Sequence, residues 1–298
     1  MKFAGELAAL GTAACWATGS NLFAVAGRRV GSVVLNRMRI VMAMGLLSLA
    51  LLITRGSPWP HWATPMQFGV LALSGLIGFV FGDTWYFRSL VILGPGRAAL
   101  FTSVTPVFTA AIAWPLLHEH PGPMALVGMA MIAAGVTWVL SGRHDNQIDH
   151  AEGSVAVGIL AGFLGSLGQS GGYVLSKIAL RTGIDPLPAT VIRITAACVG
   201  IWTIALFQGA ATKSFAALRD RKASWFMFGG AFFGPFLGVT LSLVALVTVE
   251  AAVAASITAI SPILAMLIAS RVHGERITLR SMGGAVIAVV GVIVLFLR

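Results

Sequence analysis

Thr105-Pro106-Val107-Phe108-Thr109-Ala110, with Thr102 ahead of it and Glu119 behind, returns 156 positions later as Ser261-Pro262-Ile263-Leu264, with Thr258 ahead and Glu275 behind. The same offset, without a gap, superposes Arg37 on Arg193, Gly78 on Gly234, Gly82 on Gly238, Gly128 on Gly284 and Gly135 on Gly291. Glycine is frequent here, 35 of 298 residues, so its matches alone would prove little. Proline and glutamate are scarce, and both pairs keep one internal spacing. The chain is therefore a duplication. Its first copy is read as residues 1–148 and its second as 152–298. The polar run Arg143-His144-Asp145-Asn146-Gln147-Ile148-Asp149-His150-Ala151-Glu152 forms the link.

Composition identifies the solvent around these copies. Apolar residues make up 57% and charged residues 10%, against roughly 25% charged in an ordinary soluble domain. With a mean hydropathy of +0.91, the chain reads as an all-α polytopic membrane protein and not as a soluble, disordered, collagenous or disulfide-stapled one. Crossing ~30 Å of hydrocarbon takes about 20 helical residues. Ten such runs are present, at 4–26, 33–53, 66–90, 97–117, 124–141, 154–177, 187–207, 224–246, 251–271 and 279–297. Five helices per copy is an odd number, so the second copy enters the bilayer from the opposite face. That is the inverted-topology repeat of many secondary transporters, with a natural route to alternating access.

The first run begins after Lys2 and reaches Ala24-Val25-Ala26, a pattern shared with cleavable signal peptides. Its length, together with Glu6, Trp16 and Asn21, argues for a retained helix, which the repeat also requires. The net charge of +10 comes from basic residues scattered between apolar runs. This sets membrane orientation and does not make a nucleic-acid surface. Most of the 20 Lys and Arg follow odd-numbered spans, which by the positive-inside rule places both termini outside. Cys15 and Cys198 lie within apolar runs as small hydrophobes. Glycines spaced by four, Gly78 and Gly82, Gly158 and Gly162, and Gly230, Gly234 and Gly238, read as helix-packing seams before cavity walls. Pro106 and Pro262, mid-span, predict kinked or loosened helices, and interruptions at matching places in two halves point to a substrate site.

Further motifs join these: Gly82-Asp83-Thr84-Trp85-Tyr86-Phe87-Arg88-Ser89-Leu90, Gly96-Arg97-Ala98-Ala99-Leu100, His118-Glu119, Glu250-Ala251-Ala252-Val253-Ala254-Ala255 and Gly274-Glu275-Arg276. Across the whole chain this set resembles the drug/metabolite transporter superfamily, in its EamA-like ten-helix branch. The resemblance implies a multi-pass protein of a bacterial inner membrane with cytoplasmic termini, at odds with the charge distribution. It also implies export of amino acids or other small metabolites through a central cavity. By that likeness the cavity is lined near Tyr86, Thr102, Pro106, Ser256, Thr258 and Pro262, and more loosely by Trp16, Asn21, Gln169 and Tyr173. His118 departs from the pattern, because many relatives carry glycine there.

Asp83 is the one carboxylate well inside a predicted span, and its repeat counterpart is Val239. It either binds a substrate cation or the coupling proton, or pairs with a nearby arginine such as Arg88 or Arg97. Arg37 and Arg193, opening the second and seventh spans, and Lys177, closing the sixth, are expected to snorkel to the interface, with carboxylate recognition the alternative. Glu119 and Glu275 are expected to tie loops or helix ends. No phosphate loop, zinc signature or paired cysteines occur, so neither a cofactor nor a metal is expected. The reading is a non-enzymatic carrier of a small-molecule substrate, driven by protons, exchange or facilitation, a monomer or homodimer among lipids, with no nucleic-acid partner. The rival is a lipid-handling scramblase or intramembrane enzyme using Asp83 and His118.

Overall fold

The structure, a computed structural model, describes residues 3–93, 98, 101–141, 154–273 and 278–297, and every regular element among them is helical. In chain order these are α1 (Ala4–Val30), α2 (Ser32–Arg55), α3 (Pro65–Gly75), a π segment (Leu76–Gly82), α4 (Asp83–Leu93), a 3-10 turn (Phe101–Ser103), α5 (Thr105–Leu117) and α6 (Pro123–Ser141). The second copy contains α7 (Val155–Leu180), α8 (Pro186–Phe207), α9 (Ala211–Ala216), α10 (Arg221–Ala231), a π segment (Phe232–Gly238), α11 (Val239–Thr248), α12 (Ala251–Thr258), α13 (Ser261–His273) and α14 (Leu279–Leu297). Among the described residues six stretches are long and apolar enough to cross a membrane, and Thr105–Leu117, Pro123–Val139 and Met282–Leu297 are shorter apolar helices. α1 has the length, at 27 residues, but Thr12, Trp16, Thr18, Ser20 and Asn21 dilute its hydropathy.

The duplication is visible in backbone irregularities that no hydropathy count predicts. The two π segments fall at the repeat offset, each over a glycine pair, and the second also contains Pro235. A π segment inserts a residue and so turns the downstream helix to present different side chains. The first residue downstream is Asp83 in one copy and Val239 in the other.

The expected proline kinks are a different feature. Pro106 lies in the first turn of α5, directly after the 3-10 turn. Likewise α12 stops at Thr258, Ala259 and Ile260 make a turn, and Ser261-Pro262 start α13. Proline fits a first turn because its missing N–H would have no helical partner there. Both spans are broken and restarted, not bent.

The copies are interlaced. α1 leaves its own half to lie against α10, α11 and α13, while α7 lies against α3, α4 and α5. Missing side chains permit this. A Cβ at Gly168 would come within 2.7 Å of the Gly82 Cα, and one at Gly172 within 3.0 Å of the Gly78 Cα. On the other side, Gly19 meets Gly230 and Gly234, and Trp16 covers Gly234 and Gly238. The glycine spacings are thus packing seams, as expected.

α6 and α14 form the second seam. A Cβ at Gly135 would lie 2.5 Å from the Gly284 carbonyl, and one at Gly128 would lie 2.9 Å from that of Gly291. These pairs exchange under the repeat offset and run in opposite chain directions. Equivalent helices therefore meet antiparallel across a pseudo-two-fold axis, the geometry of an isologous contact.

At the end of α5, His118 takes φ of 53° and donates its N–H to the Trp114 carbonyl. This left-handed cap favours glycine, which explains why glycine is the residue expected there from the family likeness. His118 is the non-glycine residue with positive φ among the described residues.

These contacts set two stability expectations. Gly135→Val should lower the detergent melting temperature by an amount equivalent to about 1–3 kcal/mol, since backbone cannot yield as a side chain can, while Gly45→Ala, with open space around it, should not. His118→Gly should raise stability by about 1 kcal/mol through relief of the left-handed strain, measured in the same melts.

Candidate functional site

Gln169, Tyr173 and Lys177 recur every four residues along α7, with Arg181 next in the series at its C-terminal cap, and so share one side of it. Because α7 is lodged in the first copy, this face meets polar groups from both copies. Three layers result.

In the first layer, the buried Asp83 carboxylate accepts through Oδ2 from Arg39 Nη2 and through Oδ1 from Gln169 Nε2 at 2.7 Å. Gln169 Nε2 also donates to the Gly78 carbonyl at 3.1 Å. Arg39 Nε donates to Asn36 Oδ1 at 2.8 Å, and its guanidinium lies 5.6 Å from the rings of Phe23 and Phe87 and 6.0 Å from Trp16. Asp83 and Arg39 are 6% and 4% exposed, so this ion pair is shielded from screening. The predicted partners of Asp83 are corrected: Arg88 is exposed and sits over Trp85 at 5.4 Å, and Arg97 lies outside the described residues. The cation comes from α2, two residues after the repeat-matched Arg37.

The second layer is one turn along. Tyr173 extends toward Ser242 of α11 and Thr258 of α12, with Arg193 of α8 in electrostatic reach. The Thr258 hydroxyl is buried without a hydrogen bond. The Arg193 guanidinium lies 5.2 Å from the Phe79 ring. Snorkelling was expected of Arg193 and Lys177, and both are instead buried, at 2% and 6% exposure. Arg37 is buried as well, held by Gln208 at 3.1 Å and Ser214 at 3.4 Å.

The third layer closes one end of the bundle. Glu119 pairs with Lys177 at 2.6 Å and Arg181 at 2.9 Å, and accepts from the Ala251 N–H at 2.7 Å at the start of α12. Lys177 also donates to the Val249 carbonyl, and Arg181 to that of Leu117 at 2.7 Å. One carboxylate thus ties the ends of α5, α7 and α11 to the beginning of α12, the loop-tying role expected of Glu119. Its counterpart Glu275 lies outside the described residues.

The other sequence-predicted residues divide. Tyr86 faces the Asp83–Arg39 pair from α4, and Trp16 borders it from α1. Asn21 links α1 to the second copy by donating to the Ala265 carbonyl at 3.1 Å. Thr102 sits in the 3-10 turn, and Pro106 and Pro262 mark the helix restarts. Ser256 is turned back on its own helix, donating to Ala252. Arg39, Arg193 and Ser242 complete the layers; Arg39 and Ser242 were not among the sequence candidates, whereas Arg193 was, with carboxylate recognition at the cavity mouth as the alternative to snorkelling.

A family model for the EamA-like transporter family matches residues 3–141 and again 156–297. The chain belongs to that family. The two matches coincide with the duplication, and make this EamA-like protein an integral membrane protein of transporter type. A solved structure entitled "Crystal structure of protein" matches with a TM-score of 0.76 and 17% identity, over 98% of this chain and 96% of that one, which establishes a shared fold. No curated protein matches.

The Asp83–Arg39 pair supports a double-mutant prediction. Asp83→Leu alone should cost about 3–5 kcal/mol by stranding the Arg39 charge, and adding Arg39→Met should return most of it. Melting temperatures of the two single variants and the double variant in detergent give the cycle, and additive losses would contradict the pairing.

Proposed function

We propose that this EamA-like chain is a ten-helix secondary carrier of two inverted repeats, exporting a small polar or amphipathic metabolite such as an amino acid by alternating access at the seam between its copies. The observation that carries this reading is the file of polar layers on α7. Among the described residues six charged side chains, Arg37, Arg39, Asp83, Glu119, Lys177 and Arg193, are buried in a chain with little charge. An ionisable group within a span costs at least a few kcal/mol by insertion scales. Such a cost is retained where the groups handle solutes or ions.

In this mechanism the substrate occupies the middle layers, bounded by Trp16, Asn21, Tyr86, Thr102, Gln169, Tyr173 and Thr258, with the restarted helices at Pro106 and Pro262 beside it and Ser256 behind. Both Asp83 oxygens are engaged, so proton uptake there would free Arg39 and unlock α2 from α4. That links a proton to a change of packing. Glu119 is the closing contact of one end, and opening that end separates it from Lys177, Arg181 and Ala251.

Purified protein in liposomes preloaded with a mixture of unlabelled amino acids should take up the labelled mixture by counterflow, saturably, and a pH gradient should drive accumulation. Lipid scrambling without solute flux would overturn the carrier reading. Asp83→Asn should abolish gradient-driven accumulation while counterflow survives. Unchanged accumulation would remove Asp83 from coupling.

A further inference from the structure

Arg193 lies seven residues into α8, about 10 Å along the helix axis from its start, too deep to count as a helix-end cation. Its side chain is 2% exposed, and Nε has no hydrogen-bond partner. No described carboxylate pairs with it. Every comparable charge has an answer: Arg39 has Asp83, Lys177 has Glu119, and Arg37 has the neutral oxygens of Gln208 and Ser214. The pseudo-symmetry shows what is missing. Shifted by the repeat offset, Gln208 and Ser214 become Leu52 and Pro58, which offer no side-chain acceptor to Arg193. The arginine is present in both copies and the acceptors in one.

The surroundings suit an incoming anion. The Phe79 ring covers one side of the guanidinium, Gly78 leaves open the space that a Cβ would occupy 3.5 Å from Nη2, and the Tyr173 phenol lies in electrostatic reach of the guanidinium with the buried Thr258 hydroxyl beside it, while Ser242 donates to the Val239 carbonyl. Arginine presents a rigid fork of N–H groups matched to carboxylate and phosphate oxygens. We propose that Arg193 is the anchor for the acidic group of the transported solute, an oxyanion such as a carboxylate, which completes a charge that the fold itself leaves unanswered. The inference rests on the carrier reading and narrows its substrate to molecules bearing an acid.

The test has one arm that needs no ligand. A buried charge without a partner weakens the protein that carries it, so Arg193→Met should melt several degrees higher than wild type in ligand-free detergent solution. A lower melting temperature would make Arg193 a structural tether and overturn the anchor. In the second arm, amino-acid counterflow should fall at least about tenfold in Arg193→Met, the scale expected when a charge-assisted contact is lost, and recover in part in Arg193→Lys. Wild-type counterflow should be inhibited by free amino acids or by inorganic phosphate, which separates a carboxylate from a phosphate ligand, and not by amino-acid carboxamides. Full counterflow in Arg193→Met, or equal inhibition by the carboxamides, would overturn the proposal. A wild-type protein that moves no solute would defeat the carrier reading instead, and the melting arm would still decide whether Arg193 is an unanswered charge.

Discussion

Close approach of glycine-bearing backbones is the constraint on which the architecture depends. α7 can enter the first copy only because Gly168 and Gly172 meet Gly82 and Gly78 with no Cβ between them. In lipid, where burial of apolar surface gives little preference for one helix neighbour over another, contact density and backbone proximity select the partner. The same contact is made by α1 against α10 and its π segment. Two exchanged helices lock the copies together, and every polar layer of the site depends on the position that α7 thereby gains.

A symmetric scaffold here carries an asymmetric site. The α7 residues Gln169, Tyr173 and Lys177 and the capping Arg181 correspond by the repeat offset to Ala13, Ala17, Asn21 and Val25 on α1, and the pair Arg39 and Asp83 corresponds to Thr195 and Val239. Duplication supplies the packing twice, since glycines and helix breaks must match for the copies to interlock. Polar chemistry has no such requirement. Burying an ion costs free energy wherever it happens, so a charge persists in one copy only where something rewards it, and loss of its twin costs the packing nothing.

This separation explains how much could be read from the chain. The duplication, the glycine seams and the deep position of Asp83 are properties of residue spacing, and spacing survives in one dimension. The partner of Asp83 does not. Arg39 is 44 positions away, two residues beyond a helix-end candidate, and only the turning of α4 by the π segment brings the carboxylate to it. Arg193 was legible as a repeat-matched cation at the seventh residue of a span read as 187–207, but its lack of a partner depended on what Leu52 and Pro58 fail to provide. The prolines misled for a related reason. A lone proline within an apolar run reads as a kink, whereas Thr105-Pro106 and Ser261-Pro262 are helix starts whose preceding turns carry no sequence marker as plain as glycine.

The two ends of the bundle differ in what it takes to separate them. At one end Glu119, 8% exposed, is shared by two cations and a backbone N–H, and removing one partner of such a cluster strands the others in a medium that cannot solvate them. At the other end the copies are joined by Arg29 and Asp220, at 2.6 Å but with side chains 44% and 30% exposed, where water and salt replace the interaction at little cost. The Asp220 carboxyl is held below the usual carboxylate range by the Ala223 N–H and by Arg29, so the pair stays charged at neutral pH. The Arg29–Asp220 contact therefore yields to hydration, while on α2 the buried Arg37 stays tied to Gln208 and Ser214 of the second copy, and parting the Glu119 cluster needs a replacement for a buried anion's partners. In the carrier proposed above, these unequal contacts would favour a state closed at the Glu119 end, and a repositioning of α7 by an event inside the seam would be the means of reaching that latch.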